Sequence, residues 1–209
     1  ATPPPQVARL ACGAVANAAE DSSTHVALLS RTNAMHYMVF LMRSRHLSVH
    51  REASRACGNL LTTLDAHKDF VSEDGLRSLL LVATSLDDEC QYNAAVIYRK
   101  LCADQHTHDY VVGRGGLQAL LGLVQLRGLG TQRQAAAALR DICSNKDHKA
   151  RIRAFSLHAQ GGLRALVALS RCDDLELRIL AAGALRHLSL NTRVKRPMVE
   201  EGALGSIIR

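Results

Sequence analysis

Gly161-Gly162-Leu163-Arg164-Ala165-Leu166-Val167-Ala168-Leu169, then Asp173-Asp174, then Leu175 to Asn191 with Gly183-Ala184-Leu185-Arg186-His187-Leu188 near its close: this stretch decides the fold. Gly stops one helix, an apolar run forms the next, and an Asp turn caps a third. The closing segment returns along the chain. It reads Ala56-Cys57-Gly58-Asn59-Leu60, Val96-Ile97-Tyr98-Arg99-Lys100-Leu101 and Ala137-Ala138-Leu139-Arg140-Asp141-Ile142, with a fainter Ala14-Val15-Ala16-Asn17-Ala18. The aligned Asn17, Asn59, Lys100, Asp141 and His187 are 42, 41, 41 and 46 apart. A second marker, Ala34, Leu76, Leu117, Leu163 and Leu204, is spaced 42, 41, 46 and 41. Two markers that keep one period and stretch once define a repeat array.

Each unit reads the same way. Asp69 to Gly75 is a short helix closing on Gly75, and Leu76 to Ala83 is an apolar, buried helix. Leu86-Asp87-Asp88 is a turn and N-cap, and Glu89 to Leu101 is a third helix with a packed face. The next unit runs through Gly115-Gly116, Leu117 to Leu126 and Thr131 to Cys143. The long 46-residue interval comes from an insertion within Lys149 to Gln160, between helices, where length costs little.

Composition agrees. Hydrophobic residues make up 47% of the 209 but aromatics only 3%, with no Trp, so the core is built from small and aliphatic side chains. Lys and Arg outnumber Asp and Glu by 26 to 19, a net charge of +7, with the charges interspersed. That implies moderate attraction for acidic surfaces, short of a nucleic-acid-binding arm. Six cysteines without a CxxC imply a reduced, intracellular, cytoplasmic protein. No apolar run reaches the roughly 20 residues that span a bilayer. Both termini look cut, as in a fragment of a longer protein.

The pattern Gly-Gly-Leu-x-x-Leu-Val-x-Leu, Asp turn, Ala-Ala-x-Ala-Leu-Arg-x-Leu-Ser-x-Asn resembles the armadillo repeat. The resemblance implies an all-α, right-handed solenoid of three-helix repeats, with about four complete repeats and partial ones at both ends. Approximate repeats are 1–20 (partial), 21–63, 64–104, 105–145, 146–190 and 191–209 (partial), in a single array over 1–209. The overall look is that of armadillo-only scaffolds of the vacuolar type and of β-catenin. HEAT repeats lack the Gly-Gly and Asn pattern.

In that family the third helices line a concave groove, and an Asn column clamps an extended peptide backbone. Here the column is Asn17, Asn59, Lys100, Asp141 and His187, so Asn is kept at only two of the five positions. The importin-α groove carries Trp one turn earlier. Those positions here are Gly13, Arg55, Val96, Ala137 and Gly183, which disfavours a nuclear-transport adaptor. Two turns before the Asn column stand Arg9, Arg51, Tyr92, Arg133 and Ile179. Arg9, Arg51, Arg55, Lys100 and Arg133 are the candidate groove cations, suited to an extended acidic peptide with small apolar anchors because guanidinium pairs carboxylates bidentately. The bland alternative is a solvated helix face.

Enzymatic chemistry finds no support. Cys102, His106 and His108 lack a fourth metal ligand, the ten His form no triad with Ser or Cys, and Gly113-Arg114-Gly115-Gly116 lacks the Lys-Ser/Thr of a phosphate loop. The expectation is a non-enzymatic protein-interaction scaffold without cofactor, metal or small-molecule substrate. The alternative is a structural rod in a cytoskeletal or ciliary assembly. Nucleic-acid binding is disfavoured because aromatic platforms are missing.

Overall fold

The computed structural model describes residues 3–144, 156–203 and 205; most of the 149–160 insertion and of the apolar tail after Gly202 lies outside them. Every element among the described residues is helical. The chain forms two compact units, Ala1–Leu101 and Cys102–Arg209. The first contains α1 (Pro5–Ala18), α2 (Ser22–Thr32), α3 (Ala34–Leu41), α4 (Leu47–Leu60), α5 (Leu64–Ser72), α6 (Gly75–Ala83) and α7 (Asp88–Ala103), whose last residues enter the second. The second has a 3-10 turn (Gln105–Thr107), α8 (His108–Gly113), α9 (Gly116–Leu123), α10 (Leu129–Ser144), α11 (Gly162–Leu169), α12 (Leu175–Leu188) and α13 (Thr192–Glu200).

Short polar side chains start these helices. Thr63 accepts from the Ala66 N–H (3.2 Å), Asp87 from Cys90 (2.9 Å), Asp174 from Leu177 (2.9 Å) and Asn191 from Arg193 (3.1 Å). Each satisfies a donor that the first helical turn leaves without an intrahelical partner. Pro5 opens α1, where its missing N–H costs nothing.

The repeat is written most plainly in the backbone. Among the described residues the positive-φ positions are Asn33, Asp74, Gly115, Gly161 and Gly202, spaced 41, 41, 46 and 41. Each sits at the joint between the first and second helix of a unit, where a left-handed residue reverses the chain. Two features differ from the sequence expectation. The reversal in the second repeat is carried by Asp74 and not by Gly75, and a short polar side chain tolerates that conformation. Counting from these joints also puts Met35, not Ala34, in register with Leu76, Leu117 and Leu163, because alanine and methionine fit an apolar pattern equally well.

Gly75 has a different reason. A Cβ there would stand 2.4 Å from the Phe70 carbonyl oxygen and 2.7 Å from its ring, and a Cβ on Gly162 would meet the Leu157 side chain and carbonyl. The first and second helices of a repeat touch too closely for any side chain at this position.

In the first unit α1 and α4 pack most extensively, and in the second α10 and α12 do. The buried face of α1 is Ala8, Cys12 and Ala16, and that of α4 includes Ala53, Ala56, Cys57 and Leu60. Small residues at helical spacing let third helices stack closely. Burial pushes the Cys12 thiol up to about 11 and holds Cys57 far above its usual range, so both act as apolar fillers.

Candidate functional site

Beside the buried face of each third helix runs a stripe of largely uncovered residues. On α1 it carries Arg9, Gly13 and Asn17, on α4 Arg51, Arg55 and Asn59, and on α7 Tyr92, Val96 and Lys100. In the second unit α10 presents Arg133 and Asp141, with Ala137 between them buried, and α12 presents Ile179, Gly183 and His187. Spacing by four residues puts each set on one helix face.

Most of the expected groove cations already have partners. Arg51 forms a two-pronged pair with Asp87, Nη2 to Oδ2 at 2.6 Å and Nε to Oδ1 at 3.3 Å, and reaches Glu89 at 2.9 Å. Arg55 meets Glu52 at 2.9 Å and Glu20 at 3.2 Å, and donates to Asn17 Oδ1 at 2.9 Å. In the second unit Arg133 grips Asp174 (2.5 and 3.2 Å) and Glu176 (3.2 Å), and Asp141 is taken by Arg140 at 2.7 Å. The Arg51 guanidinium holds the Asp87 carboxyl at about 2, and Arg133 holds that of Asp174 below its ordinary value. Arg9 is exposed and makes no hydrogen bond or ion pair among the described residues. In the first unit two of the four stripe cations, Arg51 and Arg55, are therefore paired with acids, Asp87 and Glu89 for the first and Glu20 and Glu52 for the second.

The Asn column staples helices together. At the end of α1 the Glu20 N–H bonds Asn17 O, which leaves Ala16 O without a backbone donor, and Asn59 Nδ2 donates to it at 2.9 Å. At the end of α4 the Thr62 N–H turns to Leu60 O, and Lys100 Nζ donates to the freed Gly58 O at 2.5 Å. Each side chain thus supplies a donor to a carbonyl that the preceding helix cannot satisfy. Burial lowers the Lys100 pKa. Asn59→Ala, which strands a half-buried carbonyl, is expected to cost about 1 kcal/mol in urea unfolding.

Sequence reasoning missed Asn93, whose Nδ2 donates to Arg51 O (3.2 Å) and Ser54 Oγ (3.1 Å), and the acidic partners of the arginines. The signal for the latter was an Asp cap and a Glu two positions later, in the repeat after the arginine. His108 Nε2 lies 2.7 Å from Cys102 O, so this pair closes a turn. Among the described residues no cluster of His, Cys, Asp or Glu could hold a metal, and no helix is long and apolar enough to cross a membrane.

With these joints, stacked third helices and stripes in place, the fold can be compared. A computationally designed armadillo repeat protein for modular peptide recognition matches with a TM-score of 0.90 at 19% identity, covering 98% of this chain and 85% of that one. The chain has the armadillo-repeat fold. A designed armadillo repeat protein in complex with the peptide (KR)4 matches at a TM-score of 0.83 and 19% identity, over 96% of this chain and 82% of that one. In sequence, human catenin delta-2 is 34% identical over 116 residues, 53% of this chain, and mouse catenin delta-2 matches equally. The match spans 9% of the length of those catenins. No family model matches the chain.

Proposed function

We propose that this armadillo segment is a non-enzymatic protein-interaction scaffold that holds an extended partner peptide along its third-helix stripes. The observation that carries the reading is the uncovered row itself. Apolar side chains stand at the surface in that row, including Tyr92 and the 61% exposed Ile179, beside the buried alanines and leucines of the same helices. Exposed apolar side chains set between polar ones are the anchors a peptide uses. Two relatives by fold are designed for, or solved with, peptides, which supports the same class of ligand.

The partner we propose is extended, with apolar anchors at Tyr92 and Val96 and an acidic residue at Arg9. A carboxylate at Arg51, Arg55 or Arg133 must join or displace the acid already there, so those residues set register more than affinity. The six free cysteines, four of them buried, suit a reducing compartment, and we place the protein there.

A partner recovered by affinity capture supplies the test. Arg51→Glu is a poor probe, because it adds a third carboxylate beside Asp87 and Glu89. Arg9→Glu and Tyr92→Ala are clean, since both residues are exposed. Each is expected to weaken binding by about 1–3 kcal/mol, with the helical circular dichroism unchanged. The rod alternative draws on exposed apolar residues of the second helices, Tyr37 and Phe40 of α3 and Leu81 of α6. If Phe40→Ser and Leu81→Ser abolish binding while both stripe variants bind normally, the rod reading replaces the groove.

A further inference from the structure

The arginine clamp on the stripe is built twice and left incomplete once. Arg51 is held by Asp87 and Glu89, the N-cap and second residue of α7, and Arg133 by Asp174 and Glu176, the same two positions of α12. One repeat earlier, Arg9 of α1 occupies the arginine column. The matching positions at the start of α4 are His46, the N-cap, and Ser48, the second residue.

The register between α1 and α4 puts Ser48 across from Arg9. Arg55 reaches Asn17, 38 residues away, and Glu52 lies over Gly13, 39 away. Arg9 to Ser48 is also 39 residues, and Arg51 to Glu89 is 38. Arg133 to Glu176 is 43 because that interval contains the longer repeat. Ser48 therefore stands where glutamate stands in the two complete clamps.

Three features make Ser48 reachable and receptive. It is exposed, and its hydroxyl makes no hydrogen bond among the described residues. The first turn of α4 contains no acid, and His46 gives no side-chain cap, so this helix start frays cheaply and lacks the negative charge its dipole favours. The approach is Arg43-Ser44-Arg45-His46-Leu47-Ser48, with an arginine three residues and another five residues upstream of the hydroxyl. Arg45 is exposed in the turn before the helix. Ser44, the nearer rival, is occupied, its Oγ accepting the His46 N–H at 3.2 Å.

We propose that Ser48 is a phosphorylation site for an arginine-directed serine/threonine kinase, and that the phosphate completes the missing clamp by pairing with Arg9. In the transfer, Ser48 Oγ forms a bond to the γ-phosphorus of ATP. The bond from that phosphorus to the β-bridging oxygen breaks, ADP leaves, and the hydroxyl proton passes to the kinase's base. The phosphoserine then offers an Arg-pairable dianion at a helix N-terminus, which orders the segment it joins. The inference concerns a joint of the fold and stands whether or not a peptide lies on the stripe.

The test incubates the whole chain with ATP and an arginine-directed kinase catalytic domain, maps phosphate by mass spectrometry, and follows amide hydrogen exchange. Ser48 is expected to be the main site, and Arg45→Ala to abolish its modification. Exchange in the first turn of α4 should slow about two- to fivefold. Exchange of α1 amides over 9–13, which the α4 dipole does not reach, should slow as well, and Arg9→Ala should erase that slowing while leaving Ser48 phosphorylation intact. Ser48→Glu, made without any kinase, should reproduce the α1 effect in part. Phosphate going to Ser44 or elsewhere with Ser48 untouched overturns the site. Unchanged α1 exchange in both the phosphorylated chain and Ser48→Glu overturns the clamp.

Discussion

Phe70→Ala is expected to lower the free energy of unfolding by about 3–5 kcal/mol, read from the urea midpoint at constant slope. Phe70 is fully buried on α5 and, with Tyr98, is one of the two largest fully buried side chains among the described residues, in a core made mostly of aliphatic and small side chains. Its neighbours cannot collapse into the hole. The ring lies against Gly75, which has no side chain to advance, and the α5–α6 joint is fixed by left-handed Asp74. The reciprocal change, Gly75→Ala, should cost about 1–3 kcal/mol although alanine favours helix, because the new Cβ meets the Phe70 carbonyl. Phe70→Leu combined with Gly75→Ala should not recover that loss, since shortening the ring leaves the carbonyl in place. Recovery in the double variant would mean that the ring alone excludes a side chain at 75.

What was legible in the sequence follows from what repeats in it. The third helices were visible because Ala-rich buried stripes recur at one period, and the second helices because their apolar runs do. The joint was visible as Gly-Gly at 115–116 and 161–162. It was misplaced by one residue at Asp74-Gly75, where the two jobs of a Gly pair are divided: Asp74 takes the left-handed turn and Gly75 the close contact. The first marker slipped from Met35 to Ala34 for a similar reason, since hydrophobic pattern alone does not fix a phase to one residue. The stripe's positions were legible from spacing. Its charge was not, because the acids that answer Arg51 and Arg133 sit 36 to 43 residues downstream, on the next third helix, and register between helices is a tertiary fact. Counting cations on one helix face predicts a basic groove, and that count leaves out the acids with which the facing helix pairs Arg51 and Arg133.

That facing helix makes Asp87→Ala the other large expected effect, about 2 kcal/mol in urea unfolding near neutral pH. Two losses combine. The α7 start loses its cap, since the Cys90 N–H has no acceptor, which costs about 1 kcal/mol. Arg51 loses its two-pronged partner at a site where the carboxylate is mostly covered, and Glu89 alone replaces it poorly. Asp87→Asn separates the two, because the amide oxygen still accepts from Cys90 while the charge is gone. The charge term also has a pH signature. The Asp87 carboxyl titrates at about 2, well below the usual carboxylate value, chiefly through its hydrogen bonds to Arg51. A depressed folded-state pKa contributes stability that is complete above the unfolded pKa of about 4 and is lost as pH falls from there towards about 2. The wild-type chain should therefore lose stability across that window more steeply than Asp87→Asn, whose side chain does not titrate. Asp174, lowered in the same way by Arg133, should leave a remnant of the slope in the single variant and little of it in Asp87→Asn with Asp174→Asn. Parallel acid limbs for the wild type and the double variant, measured by urea unfolding from about pH 2 to pH 7, would show that these clamps contribute nothing to stability beyond capping their helices.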